Sequence, residues 1–193
     1  MIEASKPLSA NDLTGQETGR LLEPSPQEAE VLALFDRHHD RLLGYMVRFH
    51  PLTIHDCEEV LQEAFLALFQ HLKRGRSREN LNGWLFRVVH NLGLKRLQAS
   101  RRDSHNVIAL NGAVEEMIVD ASLNPEDAFA QNETRLRLLA VVKALTEQDQ
   151  RCLTLRAEGL RYREIADVLG MSLGAVAKSL ERSLHRIAQA AQR

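Results

Sequence analysis

Apolar residues recur at intervals of three and four over three successive stretches, a period that builds helices and excludes strands. The first stripe is Val31, Leu34, Phe35, His38, Leu42, Tyr45, Met46 and Phe49, in a helix predicted from Glu28 to His50 and stopped by Pro51. The second is Val60, Leu61, Ala64, Phe65, Leu68, Phe69 and Leu72, opened by Asp56-x-x-Glu59 read as a capping box and followed by Gly75 just past its end. The third is Trp84, Leu85, Val88, Val89, Leu92 and Leu97, with Asn82 as its expected cap and Arg102 near its end. Arg87, Asn91, Lys95, Gln98 and Arg102 share the opposite face of that helix. Three amphipathic helices on short loops close a small bundle.

A second set of helices follows. Asn124-Pro125-Glu126-Asp127 is a helix start, with a cap, a proline at the first position and acids against the dipole. Phe129, Leu136, Leu139, Val142 and Leu145 are expected inward on that helix. Thr146 starts another, which ends near Gly159. Ala166, Gly170 and Val176 then stand at helix-turn-helix spacing: a small residue where helices cross, a glycine for the left-handed turn, and a valine packed between the helices. Ser172 is the expected cap of the last helix. The fold class is therefore all-α.

Charge divides the chain where the helices do. The net charge is −1, yet residues 64–102 hold nine Lys and Arg against the single acid Glu79, and residues 103–133 hold seven acids and no Lys or Arg. Residues 161–193 turn basic again, with six cations against three acids. Two basic patches about an acidic strap point to two nucleic-acid contacts. Four segments follow: a flexible tail over 1–27, a helical module over 28–102, an acidic linker over 103–123 and a second helical module over 124–193.

Other classes fare poorly. Two distant cysteines, Cys57 and Cys152, make neither a disulfide framework nor a zinc site, and indicate a reducing cytoplasm. No apolar run reaches membrane-spanning length, so no membrane insertion is expected. No H-E-x-x-H, phosphate-binding glycine loop or G-x-S-x-G occurs, so no enzyme, cofactor, metal or catalytic residue is expected. His38-His39 sits on an amphipathic helix without further ligands and reads as packed or solvated.

Four strings together resemble the sigma-70 family of RNA polymerase sigma factors, in its small extracytoplasmic-function (ECF) group. They are FDRHHDRLLGY (35–45), DCEEVLQEAFLALF (56–69), NGWLFRVVHNL (82–92), and the stretch from Leu145 through Arg186. The resemblance spans about residues 29–190 and implies a region 2 bundle and a region 4 helix-turn-helix, joined by the flexible acidic linker. It implies that Asp56, Glu59, Gln62 and Glu63 dock on the β′ clamp of core RNA polymerase. It implies binding of the −10 promoter element by Lys73, Arg74, Arg76, Arg78, Asn82, Arg87, His90, Asn91, Lys95 and Arg96. The cations would hold the backbone of the opened strand and the amides would meet base edges. Trp84 offers a stacking face but reads as core. The −35 element falls to Arg161, Tyr162, Arg163, Ser172, Lys178, Arg182 and Arg186. The family also implies contact with the β flap and an anti-sigma partner, and a linker that threads the polymerase cleft.

The chain departs from the family pattern in places. His90 stands where the family usually has Arg, and Lys95 where it often has Asp. In SLGAVAKSL (172–180), Ala175, Ala177 and Ser179 replace the usual Thr, Lys and Arg, which predicts a weaker −35 interaction. Two alternatives stay open: a helix-turn-helix regulator without a polymerase role, which leaves the 56–69 string unexplained, and a sigma-like adaptor that does not initiate transcription.

Overall fold

The computed structural model describes residues 25–102 and 135–192. The predicted tail, up to residue 24, the linker and the Asn124 helix start lie outside the described residues.

Helix α1 spans Pro26–Phe49, earlier than the sequence suggests. Ser25 is the cap: its Oγ accepts from the Glu28 amide at 3.3 Å, while the Glu28 carboxylate accepts from the Ser25 amide at 2.7 Å. Pro26 fills the first position, where its missing N–H costs nothing. Helix α2 spans Ile54–Lys73 and is capped by Thr53, not opened by Asp56. The Thr53 hydroxyl oxygen accepts from the Asp56 amide at 3.1 Å, so Asp56 sits inside the first turn, where its charge suits the helix dipole. Gly75, at φ +65°, ends α2 as expected. Helix α3 spans Leu81–Arg102. Its start is held by Asn80, at φ +55°, whose side-chain oxygen accepts from the Gly83 amide at 3.2 Å. The expected cap, Asn82, lies inside the helix and is engaged elsewhere.

The apolar stripes meet as their spacing requires. Leu42, Tyr45, Met46 and Phe49 of α1, Val60, Leu61, Ala64 and Leu68 of α2, and Leu85, Phe86 and Val89 of α3 are all buried. Each large apolar side chain among them contributes roughly 1.5–3 kcal/mol on leaving water. Gly93 of α3 lets α1 approach: a Cβ there would come within 2.8 Å of both His50 Cδ2 and Met46 Cε.

The second group begins with α4, whose described part runs 135–143. Leu136 and Leu139, expected inward, are 59% and 37% exposed, and the apolar anchor is Leu145 beyond the helix end. Helix α5 (Glu147–Ala157) is capped by Thr146, α6 (Tyr162–Leu169) ends at Gly170 with φ +63°, and α7 (Leu173–Ala191) is capped by Ser172. Val176 is fully buried at the α6–α7 corner, as the helix-turn-helix spacing requires. Among the described residues there is no strand, and no helix is long and apolar enough to cross a membrane.

The two helical groups are packed together. Helix α6 lies on α3, α5 touches α1, and one apolar cluster runs from Leu42 through Phe86 to Leu155, Ile165 and Leu180.

Candidate nucleic-acid interface

The loop between α2 and α3 is short, basic and tied down. The Gly75 amide donates to the Leu72 carbonyl at 2.9 Å, and the Arg76 amide to the His71 carbonyl at 3.3 Å. The His71 ring nitrogen Nε2 donates to the Ser77 carbonyl at 2.8 Å. Arg74 and Arg76 are exposed on this frame. Arg78 pairs with Glu30 at 3.3 Å, and the Lys73 ammonium lies 6.0 Å from the centre of the Phe69 ring. Arg87, Asn91 and Lys95 continue the exposed face along α3, as their spacing predicts.

Two of the predicted −10 residues are elsewhere. His90 faces the core and is 4% exposed, because the α3 turn that carries Phe86, Val89 and Gly93 inward carries it too. Its Nδ1 lies 3.0 Å from the Tyr45 hydroxyl and its ring 5.2 Å from that of His50. Burial, and then the charge of Arg151, pushes His90 down to about 4. Burial, His90 and Arg151 push His50 down to about 4 as well. Both rings are buried core groups, neutral at neutral pH, so His90 presents no face to a strand in this arrangement. Asn82 is the second: its amide Nδ2 donates to the Glu158 carbonyl at 2.9 Å, across the boundary between the two helical groups, so it is engaged within the chain in this arrangement.

A third, Arg96, serves the predicted polymerase face. Its Nε and Nη2 donate to Asp56 Oδ1 at 2.9 and 2.7 Å, and Nη2 also reaches Glu59 Oε2 at 2.5 Å. The hydrogen bond from Thr53 and then Arg96 hold the Asp56 carboxyl below its ordinary range, against the cost of burial. Gln62 and Glu63, one turn further along α2, are exposed. The acids expected to meet polymerase and a cation expected to meet DNA are therefore one ionic cluster.

The predicted −35 residues divide similarly. Arg161, Tyr162 and Arg163 are exposed at the start of α6, with the Arg156 guanidinium 5.7 Å over the Tyr162 ring. The Ser172 hydroxyl oxygen accepts from the Ala175 amide at 3.2 Å, which is a capping role. Lys178 is exposed on α7, between the buried Val176 and Ser179. Arg182 donates to Asp149 at 2.8 Å, beside the Ser179 hydroxyl, which donates to the same oxygen at 2.5 Å. Ser179 is 1% exposed, so the change from the family's Arg at this position alters an internal packing site rather than removing a phosphate ligand. Arg186 lines a hollow of about 550 Å³ with Arg137, Ala140, Val141 and Ala144.

Sequence reasoning missed the groups that join the halves. Arg41 forms an ion pair with Glu158 at 2.5 Å. Arg151 donates to the Phe49 carbonyl at 2.9 Å and lies 5.7 Å over the Phe49 ring. Arg48 donates to Gln150 at 3.3 Å. These pairs join residues far apart in the chain, and no local pattern marks them.

Residues 34–103 match the family described as Sigma-70 region 2, and residues 135–187 match Sigma-70, region 4. The chain is 30% identical over 165 residues to the RNA polymerase sigma-H factor of Pseudomonas aeruginosa, covering 81% of this chain and 83% of that one. It is 27% identical over 188 residues to the ECF RNA polymerase sigma-E factor of Escherichia coli K12, covering 92% and 94%. A solved structure of CnrH in complex with the cytosolic domain of CnrY shares 20% identity over 86% of this chain and 90% of that one, at a TM-score of 0.48. A two-part helical chain with a helix-turn-helix and these sequence relatives is a transcription initiation factor that works with core RNA polymerase on promoter DNA. The chain belongs to the sigma-70 family, in its extracytoplasmic-function group.

Proposed function

We propose that residues 28–102 act as region 2 and residues 124–193 as region 4 of a dissociable promoter-specificity subunit, with 103–123 as the linker. The reading is carried by one observation: the bundle exposes the cations Arg74, Arg76, Arg87 and Lys95 together with Gln62 and Glu63 of α2, and α3 meets the acidic start of α2 where Arg96 pairs with Asp56 and Glu59. The acidic face suits the β′ clamp, and the cationic surface suits the backbone of the opened −10 strand. Arg161, Arg163 and Lys178 are the cations left to the −35 duplex, and the second module is also the one to meet the β flap. The chain works in the cytoplasm, catalyses nothing itself, and is held in check by an anti-sigma protein.

The packed arrangement is a resting one on this reading. Elements named −10 and −35 are about 25 base pairs apart, or about 85 Å at roughly 3.4 Å per step. A helix the length of α1 spans only about 36 Å at roughly 1.5 Å per residue. Modules packed side by side cannot occupy both elements, so promoter binding requires α6 to leave α3. Transcription in vitro with core polymerase on a promoter library tests the whole reading. Specific initiation is expected, and failure to associate with core polymerase at any salt concentration would refute it.

A further inference from the structure

We propose that His71 is the positioning residue of the promoter-reading loop, fixing Arg74 and Arg76 as a preformed strand platform; this rests on the −10 reading above. His71 stands in the last turn of α2 and closes the loop twice. Its main-chain carbonyl accepts from the Arg76 amide, and its ring Nε2 donates to the Ser77 carbonyl at 2.8 Å. A carbonyl only accepts, so Nε2 carries the hydrogen in either charge state of the ring. The ring also packs on the Trp84 indole, with centroids 4.9 Å apart. Trp84 in turn belongs to the first turn of α3, so one imidazole links the end of α2, the middle of the loop and the start of α3.

The remainder of the loop is held from the same point. The Glu79 amide donates to Ser77 Oγ at 3.2 Å, and Asn80 fixes the turn into α3. Between His71 and Gly83 the backbone is thus braced at Arg76, Ser77, Glu79 and Asn80, while Arg74 and Arg76 remain exposed to solvent. A braced loop avoids the ordering cost that a mobile one bears when it grips a flexible strand. His71 lies at the rim of the bundle rather than in its core, so its contribution belongs to strand capture more than to folding.

Two substitutions separate the ring from its hydrogen bond. His71→Phe keeps an aromatic face on Trp84 and removes the donor. His71→Gln removes the ring and places an amide N–H near the Nε2 position. The assay uses the full-length chain with core polymerase and a pool of single-stranded DNA randomised in sequence, with Arg74→Ala/Arg76→Ala as the control. Because Trp84 is the chain's single tryptophan, its emission, read on the chain before polymerase is added, reports the loop directly.

His71→Phe is expected to weaken strand capture about fivefold, the effect of removing one hydrogen bond, and to flatten base preference. Affinity for core polymerase and the thermal midpoint are expected to stay unchanged. His71→Gln is expected to recover most of the capture, while Trp84 emission shifts. If His71→Phe captures strands like the parent while the arginine control is impaired, the positioning role is overturned and the loop reading stands. If the arginine control is also unimpaired, the loop reading fails and takes this inference with it. Equal losses in His71→Phe and His71→Gln, or a loss of capture that tracks a falling thermal midpoint, would equally overturn it.

Discussion

The amide of Asn82 donates to the main-chain carbonyl of Glu158 at 2.9 Å, and so a residue near the start of α3 is held by the turn that precedes the helix-turn-helix. Glu158 also receives Arg41, so α1, α3 and the end of α5 meet at one point. On the proposed reading, Asn82 becomes available to DNA only when this junction parts.

Arg41→Glu should loosen the junction. The pair is partly exposed, with side chains 43% and 18% accessible, so the expected effect is about 1 kcal/mol, or about fivefold in the open population. Energy transfer between dyes on α2 and α7 should fall, and Arg41→Glu with Glu158→Arg should restore it. Unchanged transfer in the single variant would show that the pair does not hold the modules together.

Acid should unfold the protein by way of His50 and His90. Their folded values, pushed to about 4, lie below the ordinary 6.5. Their contribution is therefore complete above pH 6.5 and is lost as pH falls towards 4, because the unfolded chain takes up the protons first. The loss is about 3 kcal/mol for each ring at most. Denaturant midpoints compared between neutral and acid buffers should show it, and His90→Phe should flatten the curve.

Gly93→Ala should destabilise the first bundle by about 1–3 kcal/mol, since the new methyl meets His50 and Met46 at 2.8 Å. Gly44→Ala is the contrasting case. Its Cβ would meet nothing within 4 Å inside α1, so a gain of about 0.5–1 kcal/mol is expected. Thermal melts of the two variants should move in opposite directions.

Arg74→Ala with Arg76→Ala should lower the salt dependence of strand binding, by about 0.7 in slope for each phosphate no longer neutralised. Arg182→Ala should act differently. It removes a partner of the buried Asp149 and should lower stability by about 1–3 kcal/mol. A salt titration and a melt on each variant distinguish the roles.

The apolar periods announce the helices and the core, because each helix buries one stripe and the stripe is local in the chain. The helix-turn-helix is equally legible, since Gly170 and Val176 act through local geometry. Starts are less so: Ser25 and Thr53 hold the caps, while the sequence draws the eye to Glu28 and Asp56, which sit three residues inside. The resemblance places His90 among the −10 residues, whereas the α3 turn faces it inward against Tyr45. The engagement of Asn82 and Arg96 is not legible locally because their partners lie 76 and 40 residues away. Type and spacing give a face; they do not reveal which neighbour has claimed a donor.

The Arg96 cluster with Asp56 and Glu59 carries a thermodynamic consequence. On the proposed reading, the chain left alone neutralises part of its polymerase-facing acidity with part of its DNA-facing charge. A partner that draws off the two carboxylates releases the guanidinium, and a polyanion that draws off the guanidinium uncovers the carboxylates. Linkage makes such traffic reciprocal, so each ligand strengthens the other by the same factor. On that reading a sigma factor wired in this way favours the ternary assembly over either binary one, and at this cluster the coupling is carried by the swing of one side chain.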